Sequence, residues 1–238
     1  MDNSKIAHHI SENFNKELED IRNQVLSMGG LVEEQIDLAV KAFISGDMEL
    51  AEVVIKQDNE VDDYEMEIDA ECTQIIALRQ PAAFDLRLLL TVLRIITELE
   101  RIGDLAERIA KMAIQLSGNE NKNDQYHELR HIAGLVKEML HGALDSFARM
   151  SIDGITDITG SDEQVDREYS SIIRQLITQM MEDPRNITRT LDILWTVRAL
   201  ERIGDHSRYI CEHLIYMVKG EDVRHLTQAQ LEEKMKSK

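Results

Sequence analysis

The hexapeptide LERIGD fills Leu99–Asp104 and returns unchanged at Leu200–Asp205. Each copy lies in a long stretch whose apolar residues fall three and four apart. The first seam is Leu99, Ile102, Ala106, Ile109 and Ala113; the second is Leu200, Ile203, Ser207, Ile210 and Leu214. That spacing marks the buried face of an α-helix. The likeness runs well beyond the motif. At an offset of 101, Leu90, Val92, Leu93 and Ile109 meet Leu191, Ile193, Leu194 and Ile210. Upstream the offset is 104: Asp58, Val61, Asp62 and Ile68 meet Asp162, Val165, Asp166 and Ile172, and Ala39 and Phe43 meet Ala143 and Phe147. One small indel separates the two offsets. The chain is a tandem duplication with a period of about 100 residues.

Each copy reads as three helices. The first copy is expected to place helix A over 11–44, a polar break at Ser45–Asp47, a short helix from Met48, helix B over 58–79 and helix C over 84–116. The second places A over 125–150, B over 162–181 and C over 186–218. The first repeat then covers 1–117, a polar linker 118–124, the second repeat 125–220, and a polar tail 221–238 that is expected to fray. The predicted fold is all-α: two tandem, pseudo-symmetric three-helix bundles.

Composition sets the outer limits. The 43% of hydrophobic residues is enough to fold rather than stay disordered, and 238 residues can bury a core without disulfides. A net charge of −18 repels phosphate backbones, which argues against nucleic-acid binding and suits basic partners or bound cations. The first 20 residues carry no apolar signal segment, and no long apolar run spans a membrane. Cys72 and Cys211 lie far apart, without the spacing of a zinc or redox motif, and read as buried reduced thiols.

The hexapeptide also carries chemistry. Glu100 and Asp104 are four apart and share a helix face, as do Glu201 and Asp205. Arg101 and Arg202 point about 100° away from the Glu and are imperfect partners for it. Gly103 and Gly204, mid-helix in both copies, suggest that something approaches closely there. Helix B adds Asp58/Asp62 and Asp162/Asp166. In an antiparallel hairpin, facing residues are equidistant from the bend. Pairing Asp58 with Asp104 and Asp62 with Glu100 puts the bend at residue 81; pairing Asp162 with Asp205 and Asp166 with Glu201 puts it at 183–184. The two prolines of the chain are Pro81 and Pro184, where turns are favoured. Each ExxxD should therefore face a DxxxD.

Four carboxylates so close need raised pKa values or a bound cation. An all-oxygen set suits hard cations such as magnesium, manganese, calcium or iron. The competing reading makes Asp58 and Asp162 helix N-caps, with Asp62 and Asp166 favoured by the helix dipole. The histidines His8, His9, His127, His131, His141 and His206 are expected to be solvated or capping. There is no phosphate-binding glycine loop and no nucleophile elbow.

The doubled LERIGD, the DxxxD pairs of helix B, RQP at Arg79–Pro81 and VKGEDVRH at Val218–His225 resemble the PhoU family of bacterial phosphate-uptake regulators. The resemblance covers essentially the whole chain. It implies two three-helix bundles and ExxxD motifs that bind metal clusters: iron or zinc in some members, manganese or magnesium in others. Carried over, Glu100, Asp104, Glu201 and Asp205 would be ligands, completed by Asp58, Asp62, Asp162 and Asp166. Some members place an Asn four residues after the Asp; here those positions are Arg108 and Tyr209. The resemblance further implies a non-enzymatic, cytoplasmic, commonly dimeric protein, recruited peripherally to the inner membrane. It would link the ATPase of the phosphate transporter to the phosphate sensor histidine kinase and repress the starvation response when phosphate is abundant. A carboxylate-metal hydrolase and a purely structural helical oligomer remain the alternatives.

Overall fold

In the structure, a computed structural model, residues 12–116 and 126–236 are described. Among them are α1 (Glu12–Ser45), α2 (Met48–Arg79), α3 (Ala83–Leu116), α4 (Tyr126–Arg149), α5 (Ile155–Glu182), α6 (Ile187–Lys219) and α7 (Gln228–Lys236). A short 3-10 turn, Pro184–Asn186, precedes α6. Helices α1, α2 and α3 pack on one another, and α4, α5 and α6 do the same. The bundles join mainly through α3 and α6, with α1 also meeting α4. The expected pair of three-helix bundles is the observed fold. The linker at 118–124, His8 and His9 lie outside the described residues.

The LERIGD helices form the centre, each packing on both other helices of its own bundle and on its counterpart in the other bundle. Leu99, Ile102, Ala106, Ile109, Leu200, Ile203, Ile210 and Leu214 are fully buried, within a core that runs from Phe14 to Leu231. Helices α3 and α6 are antiparallel: Arg87 Nε donates to the Met217 carbonyl at 3.2 Å, Thr196 meets Met112, and the Arg108 guanidinium lies over Trp195. The hairpins bend at the prolines. Gln80 ends α2 in the left-handed conformation (φ 47°) just before Pro81, and Asp183 caps the turn that begins with Pro184.

Three boundaries differ from expectation. Helix α2 is continuous from Met48, with no separate short helix before Asp58, because nothing between Met48 and Asp58 breaks a helix. Asp47 caps it, accepting from the backbone N–H of Glu49 and Leu50 at 3.0 and 3.2 Å. Helix α5 starts at Ile155, earlier than expected, despite Gly160 and Ser161. Asp58 and Asp162 therefore lie well inside their helices, beyond reach of the N-terminal dipole, and are not caps. The polar tail does not fray throughout. Thr227 and Gln230 form a reciprocal capping box for α7, Leu231 is buried, and Gln228 Nε2 donates to the Thr156 carbonyl at 2.9 Å. Gly160 provides room for that Gln228 contact. Cys72 and Cys211 are buried and free, and burial pushes the Cys72 thiol up to about 12. No helix among the described residues is long and apolar enough to cross a membrane.

Candidate metal centre

The hairpin geometry brings α2 and α3 together along their acidic faces. Oxygens of Asp58, Asp104 and Glu107 all lie within 4.8 Å of one another. Burial pushes Asp58 up to about 6; a hydrogen bond from Gln35 opposes the rise, and Glu107, Asp104 and Asp62 add to it. Glu100 rises to about 7, through burial first and then repulsion from Asp104, Glu65 and Asp62. Asp104 is raised by burial, with Asp62 and Glu107 next. The expected set Asp58, Asp62, Glu100 and Asp104 thus forms one electrostatic cluster, with Glu65 and Glu107 enlarging it.

A neutral donor completes it. Gln35 of α1 is fully buried. Its Nε2 donates to Asp58 Oδ1 at 3.4 Å, and its Oε1 is buried with no hydrogen-bond partner. A Cβ added at Gly103 would stand 3.2 Å from Asp58 Oδ1, 3.2 Å from Gln35 Oε1 and 3.3 Å from Val61. Gly103 therefore keeps open the space that the carboxamide and carboxylate share. An orphaned buried carbonyl beside convergent carboxylates is a donor set that fits a hard cation.

The second repeat gathers its four acids at the equivalent place but surrounds them with arginine. Asp162 pairs with Arg208 Nε at 2.8 Å, Glu201 with Arg198 at 2.8 Å, and Asp205 with Arg202 at 3.7 Å. Burial pushes Asp162 up to about 6, with Arg208 acting downward and Asp205 and Asp166 upward. Glu201 is raised by burial and then by Asp205. The space at Gly204 is ordinary: an added Cβ would meet Val136 at 3.4 Å, Val165 at 3.5 Å and Asp162 at 3.8 Å.

The glycines therefore predict opposite outcomes. Gly204→Ala is expected to raise stability by about 0.5–1 kcal/mol, the helix gain of Ala over Gly. Gly103→Ala is expected to lose that gain, because Asp58, Gln35 and Val61 must move away from the methyl group. Urea midpoints of the two variants check this; equal gains would show that Gly103 holds no space.

Of the remaining expected residues, Arg101 pairs with Glu98 at 3.4 Å rather than with Glu100. Arg108 turns to Trp195, and the Tyr209 ring lies under the Arg208 guanidinium, 4.9 Å from its centroid. Neither supplies a ligand to its cluster. His127, His131 and His141 stay on the surface of α4. His206 does not: it is buried, with Nδ1 2.6 Å from Glu98 Oε2 across the α3–α6 junction. The antiparallel packing of α3 on α6 places it there, so the solvated role expected for it is wrong. His213 is buried as well, and desolvation lowers it to about 4, which keeps the ring neutral.

Comparison with known proteins decides the family. Residues 25–113 and 129–214 match the PhoU domain family. The chain belongs to the PhoU family. Its PhoU relatives match nearly end to end. A phosphate-specific transport system accessory protein PhoU homolog of Pseudomonas aeruginosa is 47% identical over 232 residues, covering 98% of this chain and 96% of that protein. The phosphate-specific transport system accessory protein PhoU of Escherichia coli strain K12 is 46% identical over 231 residues, 95% of this chain and 93% of that one. The crystal structure of PhoU from Pseudomonas aeruginosa aligns with a TM-score of 0.84 at 48% identity, covering 87% of this chain and all of that one. The phosphate transport system regulatory protein PhoU from Streptococcus pneumoniae aligns at 0.81 with 31% identity, covering 88% and 99%. The matched PhoU segments contain both LERIGD copies and all eight paired acids.

Proposed function

We propose that this PhoU chain is a non-enzymatic regulator of phosphate homeostasis. It couples the ATPase of the phosphate transporter to the phosphate sensor histidine kinase and keeps the starvation response off while phosphate is abundant. The observation that carries this reading is the end-to-end likeness to proteins named as accessory to phosphate-specific transport. The protein works in the cytoplasm as a homodimer and reaches the membrane only through its partners. A divalent or trivalent metal ion (iron, zinc, manganese or magnesium) is held by the paired acidic helical motifs. The donor set of Asp58, Asp104 and Glu107 with the orphaned Gln35 carbonyl supports that part. Bound there, the metal supplies positive charge and a link between α2 and α3, while Asp62 and Glu100 stand close enough to join or surround it. The chain's own residues contribute the cradle, and Gly103 keeps it clear.

The test is genetic and biochemical. A deletion strain is expected to make alkaline phosphatase in high phosphate, and the wild-type gene to restore repression. Intact repression in the deletion strain, or absence of micromolar binding to the transporter ATPase and to the kinase, would overturn the adaptor reading.

A further inference from the structure

The two repeats share eight acids, but the positions that complete each cluster carry opposite charge. Glu107 of the first repeat corresponds to Arg208 of the second, and Lys111 corresponds to Glu212. Both are i,i+4 ion pairs on the same helical face. In the first, Glu107 joins the cluster and its partner Lys111 stands more exposed. In the second the order is reversed. Arg208 Nε lies 2.8 Å from Asp162, its Nη2 3.9 Å from Asp205, and its Nη1 2.6 Å from Glu212, which is buried. Tyr209 stacks on the guanidinium and fixes it over the acids. Gln35, whose free carbonyl faces the first cluster, corresponds to Met139 in the second, which has no comparable oxygen donor. Thr97 corresponds to Arg198, so a second guanidinium neutralises Glu201. Glu201 Oε2 is left buried without a partner, and one oxygen is not a coordination shell. At the positions of Asp58, Asp62, Glu65, Glu100, Asp104 and Glu107, all acids, the second repeat has Asp162, Asp166, Tyr169, Glu201, Asp205 and Arg208.

We infer that the repeats have diverged into one metal centre and one self-neutralised centre: the first cluster takes a hard cation, and in the second the Arg208 guanidinium stands where the cation would go. The inference rests on the metal reading above and limits it to one half of the molecule. A guanidinium facing three carboxylates supplies a single positive charge where an ion would supply two or three, but that charge is permanent and independent of metal supply. The duplicated fold thus has one half that can respond to metal availability and one half that cannot.

The full chain is stripped with chelator, equilibrated in separate runs with Mn2+, Zn2+ and anaerobic Fe2+, desalted, and assayed for bound metal by mass spectrometry. Asp58→Asn with Asp104→Asn is expected to lose the bound metal. Asp162→Asn with Asp205→Asn is expected to keep the wild-type content. Arg208→Glu with Glu212→Lys, Arg198→Thr and Met139→Gln, which copies the first repeat at these positions, is expected to bind about twice as much. A fall in metal content in the Asp162/Asp205 variant would overturn the inference while leaving the metal reading intact. Wild-type protein that binds none of the three ions would overturn both. If the charge-swapped variant loses its helical circular dichroism, the comparison between the two Asn pairs still decides.

Discussion

Glu98→Ala is expected to lower the unfolding free energy by about 3 kcal/mol, among the larger effects of any polar substitution in the chain. Glu98 and His206 are 7% and 4% exposed, so water cannot replace either partner. The carboxylate has no proton to give, so the 2.6 Å contact needs the hydrogen on His206 Nδ1. Removing Glu98 leaves that N–H buried with no acceptor and opens a void at the α3–α6 junction. The side chain at the corresponding place in the first repeat is Leu105, so an apolar residue at this point is compatible with the fold. Glu98→Leu with His206→Leu should accordingly cost less than Glu98→Ala alone. A double-mutant cycle on urea midpoints measures the coupling directly. A coupling below about 0.5 kcal/mol would mean that the pair does not tie the two repeats together.

The residues that sequence reasoning missed share one property. The LERIGD helices, the antiparallel hairpins and the eight paired acids were legible because both repeats carry them. Comparing two copies selects what they have in common. Glu107, Gln35 and His206 sit where the copies differ, against Arg208, Met139 and Leu105. Glu107 had a detectable signal: it lies three residues after Asp104 and seven after Glu100, on the same helix face. Gln35 had none, since a lone amide on an apolar seam gives no hint of what it faces until the hairpin is built against it. His206 is buried by a contact between repeats, which helical periodicity within one repeat cannot report.

The misplaced boundaries have local causes. The sequence suggests a short helix from Met48 and a new one at Asp58 because an Asp there reads as an N-cap, with Asp62 in the first turn. The true signal is Asp47 after Gly46, whose φ of 70° closes α1. Helix α7 is polar almost throughout and holds its place through Leu231, Gln228 and its capping box. A single buried leucine leaves no periodic pattern to find. Gly103 and Gly204 looked equivalent in sequence, yet only Gly103 is constrained. The difference lies in what stands opposite: Gln35 and Asp58 in one case, Val136 and Val165 in the other.

Saturating Mn2+ is expected to raise the melting temperature at pH 7.5 by roughly 5–10 °C. Ligand at 100 times its Kd stabilises by about 2.7 kcal/mol, and each kcal/mol is worth about 2–4 °C in a chain of this size. The gain should depend on pH in a definite sense. Asp58 and Glu100 titrate near 6 and 7 in the folded chain, above the 3.8 and 4.5 of free carboxyls. Between about pH 4 and 7 these two groups therefore hold protons in the folded chain that the unfolded chain has released, and they contribute a fall in stability as pH rises; Asp162 adds to that fall and the neutral buried ring of His213 opposes it. Above that window both states are ionised and the curve levels. A cation compensates the carboxylate charge, so Mn2+ should offset the first cluster's share of the decline, and its stabilising effect should grow from near zero at pH 5 to its full size by pH 7.5. Asp58→Asn with Asp104→Asn should remove the share of Asp58 and Asp104 from the metal-free curve, leaving those of Glu100 and Asp162, and should abolish the Mn2+ response. Melting curves from pH 5 to 8, with and without Mn2+, check both halves. An Asp58→Asn, Asp104→Asn variant whose metal-free curve runs parallel to that of the wild type would show that the first cluster is not the strained carboxylate site described above.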